Sequence, residues 1–349
     1  MNPSLGVILH ALGGFAAGSF YIPFRKVRNW SWESYWVVGG FFSWIIAPWL
    51  VGFLTAPKLM SVLREAPPTS ILLCYLFGLL WGVGGLTFGL SMRYLGMSLG
   101  YALALGFCAA FGTIIPPIFM RSFGQLITHA SGLTTLGGII VCLAGIAICG
   151  WAGVSKESEL SEEKKKETIK EFNFGKGVWV AIFAGIMSAC MAFGISAGKP
   201  IAKLAVEKGA APLWQNSAVF VCILAGGFTT NFLWCAFLNV KNRTSRDYLS
   251  SGEASLAGNY IFSALAGITW YLQFMFYGMG TTKMGRYDFS SWTIHMAFII
   301  VFSNIWGLVF REWKGASGRT HRTILVGIVV LILSTFVVGL GNYLASLGR

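Results

Sequence analysis

Ten uninterrupted apolar runs of about 20 residues each follow one another along the chain, near 6–24, 36–54, 71–91, 97–119, 131–153, 177–198, 214–238, 257–280, 289–310 and 324–346. That length is what an α-helix needs to cross the roughly 30 Å hydrocarbon core of a bilayer. Backbone in hydrocarbon must satisfy its own hydrogen bonds, so only helices and closed barrels span a membrane. Barrel strands would alternate apolar with polar residues, and these runs do not. The expected fold is therefore an all-α polytopic membrane protein with ten transmembrane helices. Composition agrees: 55% of the 349 residues are hydrophobic and 11% are charged, a balance unsuited to a surface facing water. The net charge of +13 sits in short clusters between runs, which reads as loop charge setting membrane orientation and not as a nucleic-acid face.

The seven cysteines all lie inside apolar runs and none forms a CxxC pair, so they read as small buried side chains. The opening MNPSLGVILHALGG lacks the positive leader of a secretory signal, and the first run is expected to be retained. No Walker A sequence, HExxH or Cys/His metal spacing occurs, so no cofactor, metal or ATP-driven step is expected.

One long charged segment, SKESELSEEKKKETIKEFNFGK at 155–176, divides the chain into 1–154 and 177–349 with five runs in each. Two homologous halves with an odd number of spans would sit in the membrane with opposite orientation. WGVGGLTFGLSMRYLG (81–96) laid on WYLQFMFYGMGTTKMG (270–285) matches Trp81 with Trp270, Gly89 with Gly278 and Gly96 with Gly285. The odd-numbered loops hold 17 Lys and Arg, against 9 in the even-numbered loops and termini. Positive charge marks the cytoplasmic side, so the 155–176 linker is expected inside and both termini outside.

Of the 13 acidic residues, six crowd the linker, and Glu33, Glu65, Glu207, Asp247, Glu253 and Glu312 read as loop residues. Asp288 alone abuts a run without a polar flank. It is either an N-cap of the ninth helix or a functional carboxylate. Seven residues turn an α-helix by about 700°, so His295 is expected on the same stripe, roughly 10 Å deeper. An imidazole there is either bonded to a neighbouring helix or part of a proton path. A sugar needs flat apolar faces and a few amides. Trp270, Tyr271, Gln273, Trp292, Gln215 and Asn216 offer both, although Trp and Tyr also populate interfacial belts. Gly194-Ile195-Ser196-Ala197-Gly198 matches the GxSxG nucleophile elbow, which needs a strand-turn-helix context, and so keeps an intramembrane serine hydrolase as a remote alternative.

FYIPFRKVRNWSWESYW (20–36), MRYLGMSLG (92–100), WYLQFMFYGMG (270–280), YDFSSWTIHMAF (287–298) and REWKGA (311–316) closely resemble the bacterial L-rhamnose/proton symporter family of the drug/metabolite transporter superfamily. The resemblance covers all ten runs. It implies two inverted five-helix repeats in the bacterial inner membrane, taking up L-rhamnose or a related sugar with a proton by alternating access. Asp288 and His295 would then carry the proton, and the sugar would dock at midplane between the halves against Trp270, Gln273 and Trp292. An exporter or exchanger of another small metabolite on the same fold is the alternative.

Overall fold

The computed structural model of the chain describes residues 2–95, 97–119, 123–159, 173–311 and 313–347. All regular structure among the described residues is helical. In order come α1 (Pro3–Ser19), α2 (Tyr21–Phe24), α3 (Trp32–Phe41), α4 (Ala47–Thr55), α5 (Leu59–Glu65), α6 (Pro68–Leu95), α7 (Met97–Phe119), α8 (Phe123–Thr128) and α9 (Ala130–Ser158). Residues 160–172, most of the charged linker, lie outside the described residues, as does Glu312. There follow α10 (Phe174–Ala197), α11 (Lys199–Glu207), α12 (Ser217–Asn242), α13 (Leu256–Met284), α14 (Ser291–Val309) and α15 (Gly318–Ser346).

Among the described residues, eight stretches are long and apolar enough to cross a membrane: Pro3–Phe24, Trp32–Thr55, Pro68–Ser91, Ala130–Lys156, Gly175–Glu207, Pro212–Asn242, Asp288–Val309 and Gly318–Ser346. Each overlaps one of the apolar runs. The fourth and eighth runs fall on α7 and α13. The 29 residues of α13 are long enough to span, but Asn259, Ser263, Thr269, Gln273 and Lys283 dilute their hydropathy. The least apolar of the long helices is thus the one richest in candidate binding residues. The Trp32–Thr55 stretch contains a π-helical segment, Phe42–Ile46. Pro48 lacks an N–H and its ring crowds the carbonyl four residues back, that of Trp44, so a wider turn relieves the helix there.

The described residues gather into two compact units. The first lies within Met1–Phe15, Gly84–Ala192 and Gly280–Arg349; the second lies within Ala16–Val83 and Phe193–Met279. In the first unit α9 packs along α15, with α7 on α9 and α14 on α15. Glycine makes the α9–α15 contact close: a methyl at Gly138 would fall 2.6 Å from Val338 Cγ2, and one at Gly145 would fall 2.9 Å from Leu331. Without a hydrophobic force between helices in lipid, such close approach is what associates them. The start of α15 is capped by Ser317, whose Oγ accepts from Thr320 N at 3.2 Å. Glu159 accepts from the hydroxyls of Ser317 and Thr320, each at 2.6 Å. Those bonds hold its carboxyl below the ordinary carboxylate value, as expected beside a helix N-terminus.

In the second unit α12 packs against α3, the π segment and α4. Glu33, read from sequence as a loop acid, lies in the first turn of α3 and is 5% exposed. Asn242 Nδ2 and Thr244 Oγ1 each donate to its carboxylate at 2.9 Å. Asp288 is therefore not the only carboxylate at the end of a span; the hydrogen bonds that solvate Glu33 come from residues some 210 positions away, which sequence spacing cannot reveal.

Gly138→Leu should disrupt the α9–α15 contact by overpacking, at a cost of about 1–3 kcal/mol. Gly137, beside it, has open space where a side chain would grow, so Gly137→Leu should leave the detergent-solubilised melting temperature near that of the parent. Equal melting temperatures for both variants would contradict this packing.

Candidate functional site

The second unit contains a cage of indoles centred on Trp270 of α13. The ring centroids of Trp36 and Trp44 each lie 5.2 Å from that of Trp270, Trp81 lies at 6.4 Å, and Phe20 stacks on it at 4.3 Å. Edge-to-face contacts also link Trp44 with Trp81 and Trp81 with Phe274. Such offsets satisfy the aromatic quadrupoles and leave the rings fixed. Trp36 is fixed further: its Nε1 donates to Asn231 Oδ1 at 3.0 Å, while Asn231 Nδ2 donates to Gly227 O at 2.9 Å. The amide of Asn231 thereby joins the α3 indole to α12.

Among the described residues of this unit, Trp30 Nε1, Ser43 Oγ, Trp44 Nε1 and Ser263 Oγ are buried and unmatched. Trp44 is 1% exposed and its Nε1 has no acceptor. Gln273, one helical turn after Trp270, is 6% exposed. A buried polar group without a partner costs on the order of 1–3 kcal/mol, so a ligand able to bond it would recover that energy. Tyr271 is buried beside them. Asn216 occupies the N-cap position of α12 and its Nδ2 donates to Gly278 O of α13 at 2.9 Å. Gln215, just before it, is half-buried.

The remaining candidates lie in the first unit. His295 of α14 is 2% exposed, and the fully buried His10 of α1 faces it with ring centroids 6.1 Å apart and planes at 66°. His10 rests on Gly280, where a methyl would come within 2.7 Å of its Cε1. One turn before His295, Ser291 Oγ is buried with no partner among the described residues. Asn342 Nδ2 of α15 donates to Ser290 Oγ at 2.9 Å, and the hydroxyls of Thr113 and Thr293 bond at 2.6 Å. These groups form a polar seam through an otherwise apolar unit. Trp292 is committed to α7, its Nε1 donating to Cys108 O at 3.0 Å.

Asp288 does not cap α14. Ser290 holds the N-cap position, and Asp288 lies half-buried in the 3-10 turn Gly285–Ser290. Asp288 thus stands on the tighter turn and His295 on α14; three residues of the one and four of the other turn the chain by about 760°, which leaves them within roughly 40° around the axis. Gly194–Gly198 falls at the end of α10 and follows helix, not strand. The strained turn that a serine elbow requires is absent there.

Sequence reasoning missed His10 and the cage members Trp36 and Trp44. Each has its partner far along the chain, where sequence spacing gives no sign of it. Trp81 had been aligned with Trp270, and the two rings meet in the same cluster.

With this geometry in hand, comparison with known proteins is decisive for kinship. The family model of the L-rhamnose-proton symport protein (RhaT) matches residues 2–345. The chain belongs to that family. It is similar to proteins named L-rhamnose-proton symporter from Cronobacter sakazakii (strain ATCC BAA-894), 39% identical over 341 residues, and from Citrobacter koseri (strain ATCC BAA-895 / CDC 4225-83 / SGSC4696), 37% identical over 341 residues. A third relative of that name, from Yersinia pestis (strain Pestoides F), is 38% identical over 340 residues. These alignments cover 97% of this chain and 97–98% of the relatives. Family members and relatives are transporters, not enzymes.

Replacing Asn231 with Leu removes the acceptor of Trp36 and leaves a buried indole N–H unbonded. A loss of about 1–3 kcal/mol is expected, read as a lower melting temperature and altered near-ultraviolet tryptophan dichroism. An unchanged dichroic spectrum would contradict a cage held by that amide.

Proposed function

We propose that this chain takes up L-rhamnose together with a proton across the bacterial inner membrane by alternating access. The carrying observation is the cage around Trp270 with the buried, unmatched Trp44 Nε1 in it and Gln273 one turn along α13, in a chain whose family and relatives bear that transport name. The indole faces would stack on the apolar faces of the sugar, while Gln273 and Trp44 Nε1 would bond its hydroxyls. Tyr271 backs the cage, and Gln215, Asn216 and Trp292 complete the substrate-binding set as residues that hold the helices. The proton would enter by Asp288 and reside on the His295–His10 pair, because those imidazoles are the paired titratable groups at depth among the described residues. Uptake is coupled when only the doubly loaded and the empty carrier reorient.

The wider architecture belongs to the same proposal. Adding α7 and α13 to the eight apolar crossings makes ten spans, read as two inverted five-helix repeats, 1–154 and 177–349, joined by the 155–176 linker. The loop-charge bias supports a cytoplasmic linker and periplasmic termini, and the drug/metabolite transporter superfamily is the wider kin.

In de-energised cells expressing the chain, L-rhamnose should alkalinise the medium, as proton symport requires; acidification would indicate an exporter or antiporter. His295→Gln and His10→Gln should abolish sugar-driven alkalinisation and accumulation but retain exchange of labelled for unlabelled sugar. Full accumulation by both variants would overturn the histidine assignment while leaving the transport reading intact.

A further inference from the structure

The second unit carries a groove of about 630 Å³ that takes no part in the cage. Val37 and Phe41 of α3 form one wall; Phe228, Phe232, Ala236 and Val240 of α12 form the other. Phe41, Phe232 and Val240 are exposed, Val240 to 78%. From Phe228 to Val240 the helix rises about 18 Å, close to the roughly 15 Å hydrocarbon depth of one leaflet. The groove changes character at one end, where Asn239, Ser245, Tyr248 and Tyr260 line it. Tyr248 OH donates to Asn239 Oδ1 at 2.7 Å, and Tyr260 OH donates to Tyr248 O at 2.9 Å. Burial raises the Tyr248 hydroxyl to about 12, so it stays protonated and neutral at physiological pH.

The charge at that polar end is one-sided. Lys241, Arg243 and Arg246 are exposed on the segment that carries Ser245 and Tyr248. Arg25, Lys26 and Arg28 are exposed on the loop before α3, which is tied to the same end through Arg28 N to Asn259 Oδ1 and Asn29 Nδ2 to Ser251 O, both 3.1 Å. The local carboxylates scarcely offset them. Asp247 accepts from Ser31 N and Ser34 Oγ, each at 2.8 Å, and Glu33 is buried as described above, which leaves Glu253 as the exposed acid of these two loops. Arg243 moreover holds a left-handed backbone, φ 57°, at the C-terminus of α12, a position where Gly or Asn is the commoner choice.

We propose that this groove binds an anionic phospholipid, with an acyl chain lying between α3 and α12 and the headgroup phosphate taken by Lys241, Arg243 and Arg246. A tapering match of apolar length to cationic end fits a single amphiphile. A second copy of the chain or an apolar transmembrane helix would be opposed by the same cations, whereas a zwitterionic lipid would leave their charge unmatched. Basic residues at a membrane surface attract anionic lipid with an affinity gain of roughly fivefold each.

The test is native mass spectrometry of the full chain in detergent, titrated with phosphatidylglycerol or with phosphatidylcholine of identical acyl chains. The parent should retain phosphatidylglycerol at least tenfold more tightly. The triple variant Lys241→Gln, Arg243→Asn, Arg246→Gln should lose most of that preference; Asn suits the left-handed backbone at 243, so folding is preserved. Ala236→Phe, which fills the groove and leaves the cations in place, should weaken retention of both lipids. Equal retention of the two lipids by the parent, a preference unaltered in the triple variant, retention of both lipids undiminished by Ala236→Phe, or a dimer that replaces bound lipid would each overturn the proposal.

Discussion

A hydrogen-bonding group in hydrocarbon has no water to fall back on, and the organisation of this chain follows from that. Backbone amides are satisfied by making every regular element among the described residues a helix. Buried side chains are satisfied by partners distant in sequence: Trp36 by Asn231, Thr113 by Thr293, Glu33 by Asn242 and Thr244. Where so many polar atoms are matched, the few that are not acquire meaning. Trp44 Nε1 in the second unit and Ser291 Oγ in the first are two of the places among the described residues where protein atoms leave bonds for something else to make.

The two units differ in the side chains they bury. The second supplies faces and amides, the natural partners of a polyol. The first supplies imidazoles and hydroxyls, the natural carriers of a proton. Helix packing sets both: Gly280 makes room for His10, and close α9–α15 contacts build the apolar surroundings in which a pair of histidines is costly unless it serves a purpose.

Much of this was legible in the sequence, for physical reasons that differ by residue. Apolar runs announce spans because bilayer thickness fixes their length, and among the described residues eight stretches long and apolar enough to cross emerge, each overlapping one of the runs. Gln273 stood out because an amide inside an apolar run has no interfacial explanation. Asp288 reads as a candidate helix cap in the sequence because, after Gly285 ends α13 with a left-handed backbone, φ 73°, no residue of RYDFS marks the 3-10 turn that follows. His10 and Glu33 were hidden because their meaning resides in partners on other helices. Trp36 and Trp44 looked like any tryptophan near a membrane until Trp270 was placed between them.

The central claim is that Gln273, beside the Trp270 cluster, serves a ligand. Isothermal titration of purified Gln273→Leu with L-rhamnose, alongside its melting temperature, tests it most directly. A residue kept for binding predicts a dissociation constant raised roughly tenfold or more, with a melting temperature equal to or above that of the parent, because function and not stability would hold the amide there. Unchanged affinity together with a lowered melting temperature would show that Gln273 serves the fold and would contradict the account.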